Sequence, residues 1–458
     1  MFLIKELLEG YAGKKFSPVE ITRQYLDRAN EYSHLNAFIT ITEEIALQQA
    51  KIAEKRWMLG EAGRLEGIPV SYKDNIHTKG VPTTSGSIID REFVPNKNAK
   101  LVENLNREGA VMIGKANMHE FAFGITNNNP FYGPSRNPWN LELISGGSSG
   151  GGAVSVAADL VSASIGTDTG GSVRIPASCC GLFGLKPTHG LLDSNGVTLI
   201  SWNLDHLGPI TRNVSDLAIM VEALTGKNVT TNLLNSQITN LRGLKVGVPI
   251  NYFTDHIEDE VLHLFKRTLQ QFEELGAVLI DVEVPYAEEA LPLTFTLAAA
   301  EAGFVHKERM ALHIDRYGQD VRHVLESSSS ISAVDYIEAL QRKQEITKAC
   351  DELLEKIDVL ITPALPALPK PIGQEEVIIN GQSEPIFNCM IRYTSYFNLT
   401  GHPALSLPAG LTNSKLPVGV QIVAGKRKEK QLIEAAKVYE EHYLDEFYQQ
   451  RPHKSLIL

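Results

Sequence analysis

The chain has 458 residues, 43% of them hydrophobic and 21% charged, with a formal net charge of -11 at neutral pH. This is an ordinary soluble-globular composition, and the length allows a large core. The acidic balance, without a basic run of five or more, excludes nucleic acid as the main partner, and no apolar run is long enough to cross a membrane.

Four cysteines, Cys179, Cys180, Cys350 and Cys389, include no CxxC pair. That argues against a zinc site or a disulfide framework, and for reduced, buried thiols in a cytoplasmic protein. The opening MFLIKELLEGYAGKK has only a short apolar patch broken by acids, unlike a secretory signal.

Ser17-Pro18-Val19-Glu20 marks a helix start. Ser17 can cap, Pro18 suits the first turn and Glu20 completes a capping box, with the helix running to about Glu31. A second helix spans about Glu43 to Leu59 and ends at Gly60. Gly67 to Tyr72 reads as a short strand, with Lys73-Asp74-Asn75 at its end, where catalytic groups commonly sit in α/β sheets. The apolar lead-in carries Lys73 toward the interior, where desolvation makes a lysine release its proton more readily.

Leu101 to Arg107 is helical and Ala110 to Ile113 a strand. Gly109-x-x-x-x-Gly114-Lys115-Ala116 nearly matches a phosphate-binding loop, but Ala116 cannot hold Mg²⁺ and the glycines flank the strand. His119-Glu120 is no zinc motif, because Phe123 stands where the second histidine belongs.

The stretch from Leu143 to Thr188 carries two glycine-serine clusters, Gly146 to Gly152 and Asp168 to Ser172. Between them lies apolar AVSVAADLVSASIG, so the clusters read as tight loops at the ends of ordered elements. Asp205 to Pro209 then reads as a turn and Asp216 to Leu224 as a helix. Strand Leu244 to Val248, helix Asp259 to Leu275 and strand Val278 to Val282 follow. Helices are expected at about Ala290 to His313 and Ala333 to Lys356, then a strand from Asp358 to Thr362. A proline-rich loop holds Pro363, Pro366, Pro369 and Pro371. Strands near Leu405 to Leu407 and Val418 to Val423 precede a final helix, about Lys430 to Tyr443. Helices and strands alternate throughout, so the class is α/β with a largely buried, mixed sheet. No composition break forces a boundary, so residues 1–458 read as one domain, with a helical, cap-like segment at about 255–350.

Two mechanisms compete for the serines. Gly146-Gly147-Ser148-Ser149-Gly150 fits the nucleophile elbow G-x-S-x-G, which needs an acid and a histidine downstream. His206, His306, His313, His323, His402 and His442 are available, but none has a distinctive context and no HGGG-type segment lies upstream. The second mechanism uses a neutral lysine as base. Lys73 takes a proton from Ser148, Ser148 from Ser172, and Ser172 attacks a carbonyl. Backbone N–H groups of Thr169, Gly170, Gly171 and Ser172 form the oxyanion pocket.

GIPVSYKDN, SGGSSGGGA and GTDTGGSVRIPASCCGLFGLKP together resemble the amidase signature family, over nearly the whole chain to the GVQIVAG strand. The resemblance implies a single large domain with a central mixed β-sheet covered by helices on both faces and a signature core at about 60–215. It also implies a Ser–cis-Ser–Lys triad, with Ser172 as nucleophile, Ser148 as the bridge and Lys73 as base. Ser149 would support the network, and Asp168 and Arg174 would hold the loop. The implied reaction is hydrolysis of a small-molecule carboxylic amide through an acyl-enzyme, without metal or organic cofactor. A homodimer is a candidate assembly. The family includes stand-alone amidases and the glutaminase chain of tRNA-dependent amidotransferase. Ile175 follows Arg174 where the glutaminase chain is expected to carry glutamine, and Tyr336 to Lys348 is more similar to general amidases. A stand-alone amidase is therefore the leading expectation and the amidotransferase glutaminase the alternative. The walls of the pocket are expected from Met118 to Ile125 and the proline-rich loop.

Overall fold

The computed structural model describes residues 2–226 and 238–452. The first strands are β1 (Phe38–Ile41), β2 (Pro69–Lys73), β3 (Val111–Ala116), β4 (Arg136–Asn137) and β5 (Asn140–Ile144). Next come β6 (Ala163–Asp168), β7 (Phe183–Lys186), β8 (His206–Thr211), β9 (Lys245–Pro249) and β10 (Val278–Val282). The last are β11 (Val359–Pro363), β12 (Glu376–Ile379), β13 (Gln382–Pro385), β14 (Ala404–Leu411) and β15 (Pro417–Ala424).

Eleven of these form one mixed sheet in the order β1-β3-β2-β6-β8-β7-β14-β15-β11-β9-β10, flanked by helices, in a single domain. β12 with β13, and β4 with β5, form two-stranded sheets beside it. β2 runs parallel to both β3 and β6, so their C-terminal ends open on the same edge. Central strands are buried along their whole length, as parallel strands covered on both faces should be.

Several elements follow directly from local chemistry. Ser17 Oγ accepts from Glu20 N at 3.2 Å and Glu20 Oε2 accepts from Ser17 N at 2.7 Å, so the helix Pro18–Glu31 starts on the expected capping box. The helix Glu43–Leu59 stops at Gly60, which takes the left-handed conformation. The near match to a phosphate loop lies on a strand: Lys115 sits inside β3, fully buried, and donates to Ile76 O and Thr83 Oγ1.

Two expectations need correction, and one buried helix goes unanticipated. Asp205 to Pro209 is not a turn, because His206 to Thr211 form β8, inside the sheet between β6 and β7. Gly208 serves close packing there: a Cβ on it would stand 1.9 Å from the Leu185 carbonyl oxygen. The expected helix from Ala290 to His313 breaks at His306 into Ala290–Val305 and Lys307–His313. The buried helix Ile386–Leu399 has no counterpart among the sequence expectations, and it covers the second glycine cluster.

Gly208→Ala should therefore destabilise the fold by about 1–3 kcal/mol, the usual range for overpacking a filled interior. A urea midpoint unchanged from the parent protein would contradict this packing account.

Candidate active site

Lys73 is the last residue of β2, and Asp168 the last of the neighbouring parallel strand β6. The parallel register thus delivers a lysine and the second glycine cluster to one point. The first cluster leads into the helix Gly150–Ala157, with Ser149 at its N-cap. The Gly147–Ser148 peptide bond is cis. His119 N donates to Ser148 O, and Ser149 N donates to Ser172 O at 3.3 Å, so the two serine loops are joined through main chain.

Lys73 is 1% exposed, and its Nζ lies 2.7 Å from Ser148 Oγ and 2.7 Å from Thr167 Oγ1. The Thr167 carbonyl is 3.4 Å away. No carboxylate bonds the amine among the described residues. Burial pushes the Lys73 amine down to about 7, against the opposing pull of the Asp205 and Asp168 carboxylates. A neutral amine has two N–H donors and one lone pair. The two Thr167 oxygens can take the donors, which leaves the lone pair to accept the Ser148 hydroxyl proton.

The second cluster is held by ion pairing and hydrogen bonds. Arg174 donates from Nε to Asp168 Oδ2 at 3.1 Å and from Nη2 to Asp168 Oδ1 at 3.0 Å, with both side chains fully buried. Gln421 and Asn398 accept from the Arg174 guanidinium as well. Burial would raise the Asp168 carboxyl, but the Arg174 guanidinium overrides it and holds it well below the usual range. Thr169 Oγ1 donates to Asp205 Oδ1 at 2.7 Å, and Thr394 Oγ1 donates to the Gly170 carbonyl. Gly171 sits at φ +140°, and a Cβ on it would come within 2.2 Å of Thr394 Oγ1. Among the described residues, the N–H groups of Thr169, Gly170, Gly171 and Ser172 donate to no protein acceptor. They stay free for a ligand oxygen.

Ser172, Thr169 and Gly170 border a cavity of about 70 Å³ whose other walls are mainly apolar. Ala122 to Ile125 form one wall, as expected, while Phe121 instead packs in the core against His306 and Tyr317. The proline-rich loop does not line this cavity. Phe295, Ala298, Phe387 and Ile391 do, from helices 290–305 and 386–399. Thr167 and Asp205 belong to the site without a sequence signal. Thr167 stands inside the GTDTGGS motif, but on a strand and with nothing in the sequence to mark its hydroxyl, and Asp205 has the surroundings of a turn residue.

The elbow alternative finds no support in this geometry. Among the described residues no histidine side chain hydrogen-bonds Ser148, Ser149 or Ser172. The ring of His206 bonds at Leu204 O, His306 meets Tyr317, and His402 meets Asp351.

The Amidase family profile matches residues 20–433. The chain belongs to the amidase signature family. Among curated relatives of this amidase-family protein is the A subunit of the glutamyl-tRNA(Gln) amidotransferase from Caldanaerobacter subterraneus subsp. tengcongensis, 35% identical over 96% of each chain. Among solved structures, one described as a vestigial protein complex revealing the evolutionary origins of an s-triazine catabolic enzyme superposes with a TM-score of 0.92. It shares 30% identity and covers 96% of this chain and 99% of its own. A bacterial aryl acylamidase of the same family gives a TM-score of 0.89 at 25% identity, covering 99% of each chain. The curated relatives support the amidotransferase expectation better than the stand-alone amidase that leads on sequence grounds.

Arg174→Met leaves the Asp168 carboxylate buried without its cation, and should cost about 3–5 kcal/mol at neutral pH. In the parent, the stability that ionised Asp168 contributes is fully present above about pH 4, the unfolded value, and is lost only as pH falls through its much lower folded value, whereas in Arg174→Met the buried, unpaired carboxyl is raised by desolvation and takes up a proton above about pH 4. Urea titrations at pH 7 and pH 4 should show the gap between parent and variant narrowing in acid; a constant gap would contradict the pairing.

Proposed function

We propose that this protein hydrolyses a carboxylic amide to a carboxylate and ammonia or an amine, through an acyl-enzyme on Ser172. The observation that carries the proposal is the buried Lys73 amine, lowered to about 7 and 2.7 Å from Ser148 Oγ. Neutral Lys73 takes the Ser148 proton while Ser148 takes that of Ser172. Ser172 Oγ bonds to the amide carbon, and the carbonyl oxygen becomes an oxyanion held by the free N–H groups of Thr169, Gly170, Gly171 and Ser172. The proton on Lys73 returns through Ser148 to the leaving nitrogen as the C–N bond breaks. A water molecule then repeats the sequence on the ester, which releases the acid and restores Ser172. Ser149 stands at the start of the helix behind the bridge and donates to Thr167 O, and Asp168 with Arg174 fixes the oxyanion loop.

A second reading is the glutamine-hydrolysing chain of a tRNA-dependent amidotransferase. It is favoured by curated relatives of that name at 33–35% identity along nearly the whole chain. The two readings share this chemistry and differ in dependence on a partner. Ammonia release from an amide panel by the purified chain alone supports the stand-alone enzyme. Release from glutamine only when partner chains are added supports the second.

Ser172→Ala should abolish acyl-enzyme formation, a loss of about 10⁴-fold or more, with the fold retained. Lys73→Ala should be nearly as severe, whereas no histidine substitution should be. A histidine variant as inactive as Ser172→Ala would return the elbow mechanism. Because the base acts uncharged, kcat/KM should be flat above about pH 7 and fall about tenfold per unit below it. An acid optimum would contradict the lysine's role.

A further inference from the structure

The cavity at Ser172 does not end at its apolar walls. Phe123, Gly124, Ile125, Val324 and Phe387 also line a second, outer cavity of about 320 Å³. The two rooms differ in chemistry. No ionisable side chain lines the inner room; its polar side-chain groups are the hydroxyls of Ser172, Thr169 and Thr294, beside the free main-chain N–H groups at Ser172. The outer room carries two carboxylates, Asp320 and Glu375, and no lysine or arginine. Its one histidine, His119, is tied to Asp320, with Nε2 to Oδ2 at 2.7 Å.

From this arrangement we infer the substrate class: an amide with an uncharged hydrocarbon or aryl portion in the inner room and a neutral or cationic distal end in the outer room, a distal carboxylate being disfavoured there. The inference rests on the amide-hydrolase reading above and narrows it. A zwitterionic amino-acid amide such as glutamine would place an ammonium and a carboxylate beside Phe123, Phe295 and Ile391 with no counter-charge. Charges taken out of water without partners are strongly disfavoured. In the outer room the side chain of Asp320 is 54% exposed, and Glu375 is exposed too. Their field is therefore screened, and the preference they impose is modest and salt-dependent.

The test compares kcat/KM at low ionic strength for hexanamide, 6-aminohexanamide, the monoamide of adipic acid and glutamine, using the full chain and its Glu375→Lys variant. Hexanamide should exceed glutamine by about 100-fold or more. The amine should exceed the acid by about fivefold, a ratio that falls toward one in about 0.5 M salt, added as the screening arm, and in Glu375→Lys. Cleavage of glutamine or of the acid monoamide as fast as hexanamide would overturn the inference while leaving amide hydrolysis standing. So would an amine-to-acid ratio that Glu375→Lys does not move. By contrast, hexanamide cleavage that survives in Ser172→Ala, or no cleavage of any of the four amides, would defeat the hydrolase reading itself.

Discussion

Burying an amine with no carboxylate bonded to it is the constraint from which the rest of the site follows. A charged ammonium at the position of Lys73 would lose its hydration and gain no direct counter-ion; the carboxylates that raise its proton affinity, Asp205 and Asp168, are engaged elsewhere, with Thr169 and with Arg174. Desolvation wins, and the lysine is driven toward its neutral form near physiological pH. A neutral lysine in contact with a serine hydroxyl is a base. The same lysine at the surface would be a cation of no catalytic use.

The sheet makes that burial possible. β2 and β6 are parallel neighbours, so their last residues arrive side by side, one bringing Lys73 and the other Thr167 and Asp168. Thr167 supplies two oxygen neighbours to the amine, which fixes its direction without charging it. Asp168 is ionised for the opposite reason: Arg174 beside it outweighs burial, and Asn398 and Gln421 satisfy the guanidinium. One buried charge is suppressed and the other is kept, and both outcomes are set by what stands within hydrogen-bond reach.

Most of the architecture is legible in the sequence because local signals and packing agree there. The capping box at Ser17 and Glu20, the stop at Gly60 and the apolar strand runs each have one physical meaning in this chain. The second glycine cluster is legible as a loop, but the first only in part: Gly150 to Gly152 open the helix Gly150–Ala157, and both clusters are buried, which composition does not reveal. Asp205 to Pro209 misleads for the same reason. Gly208 and Pro209 satisfy a crowded strand, and from sequence that is indistinguishable from a turn. Beyond Ala122 to Ile125, the apolar walls of the cavity are hidden too. Phe295, Phe387 and Ile391 belong to apolar helices whose inner faces look like ordinary core, and only the fold sets them opposite Ser172. Phe121 and Phe123, two residues apart, divide between core and cavity, a distinction no composition rule makes.

The most direct measurement is the titration of Lys73 itself, by carbon NMR of protein labelled at lysine side chains, with Lys73→Met used to assign the resonance. The Lys73 side chain should lose its proton at about pH 7, far below an exposed lysine. A Lys73 resonance that stays in its charged form through about pH 9 would contradict this.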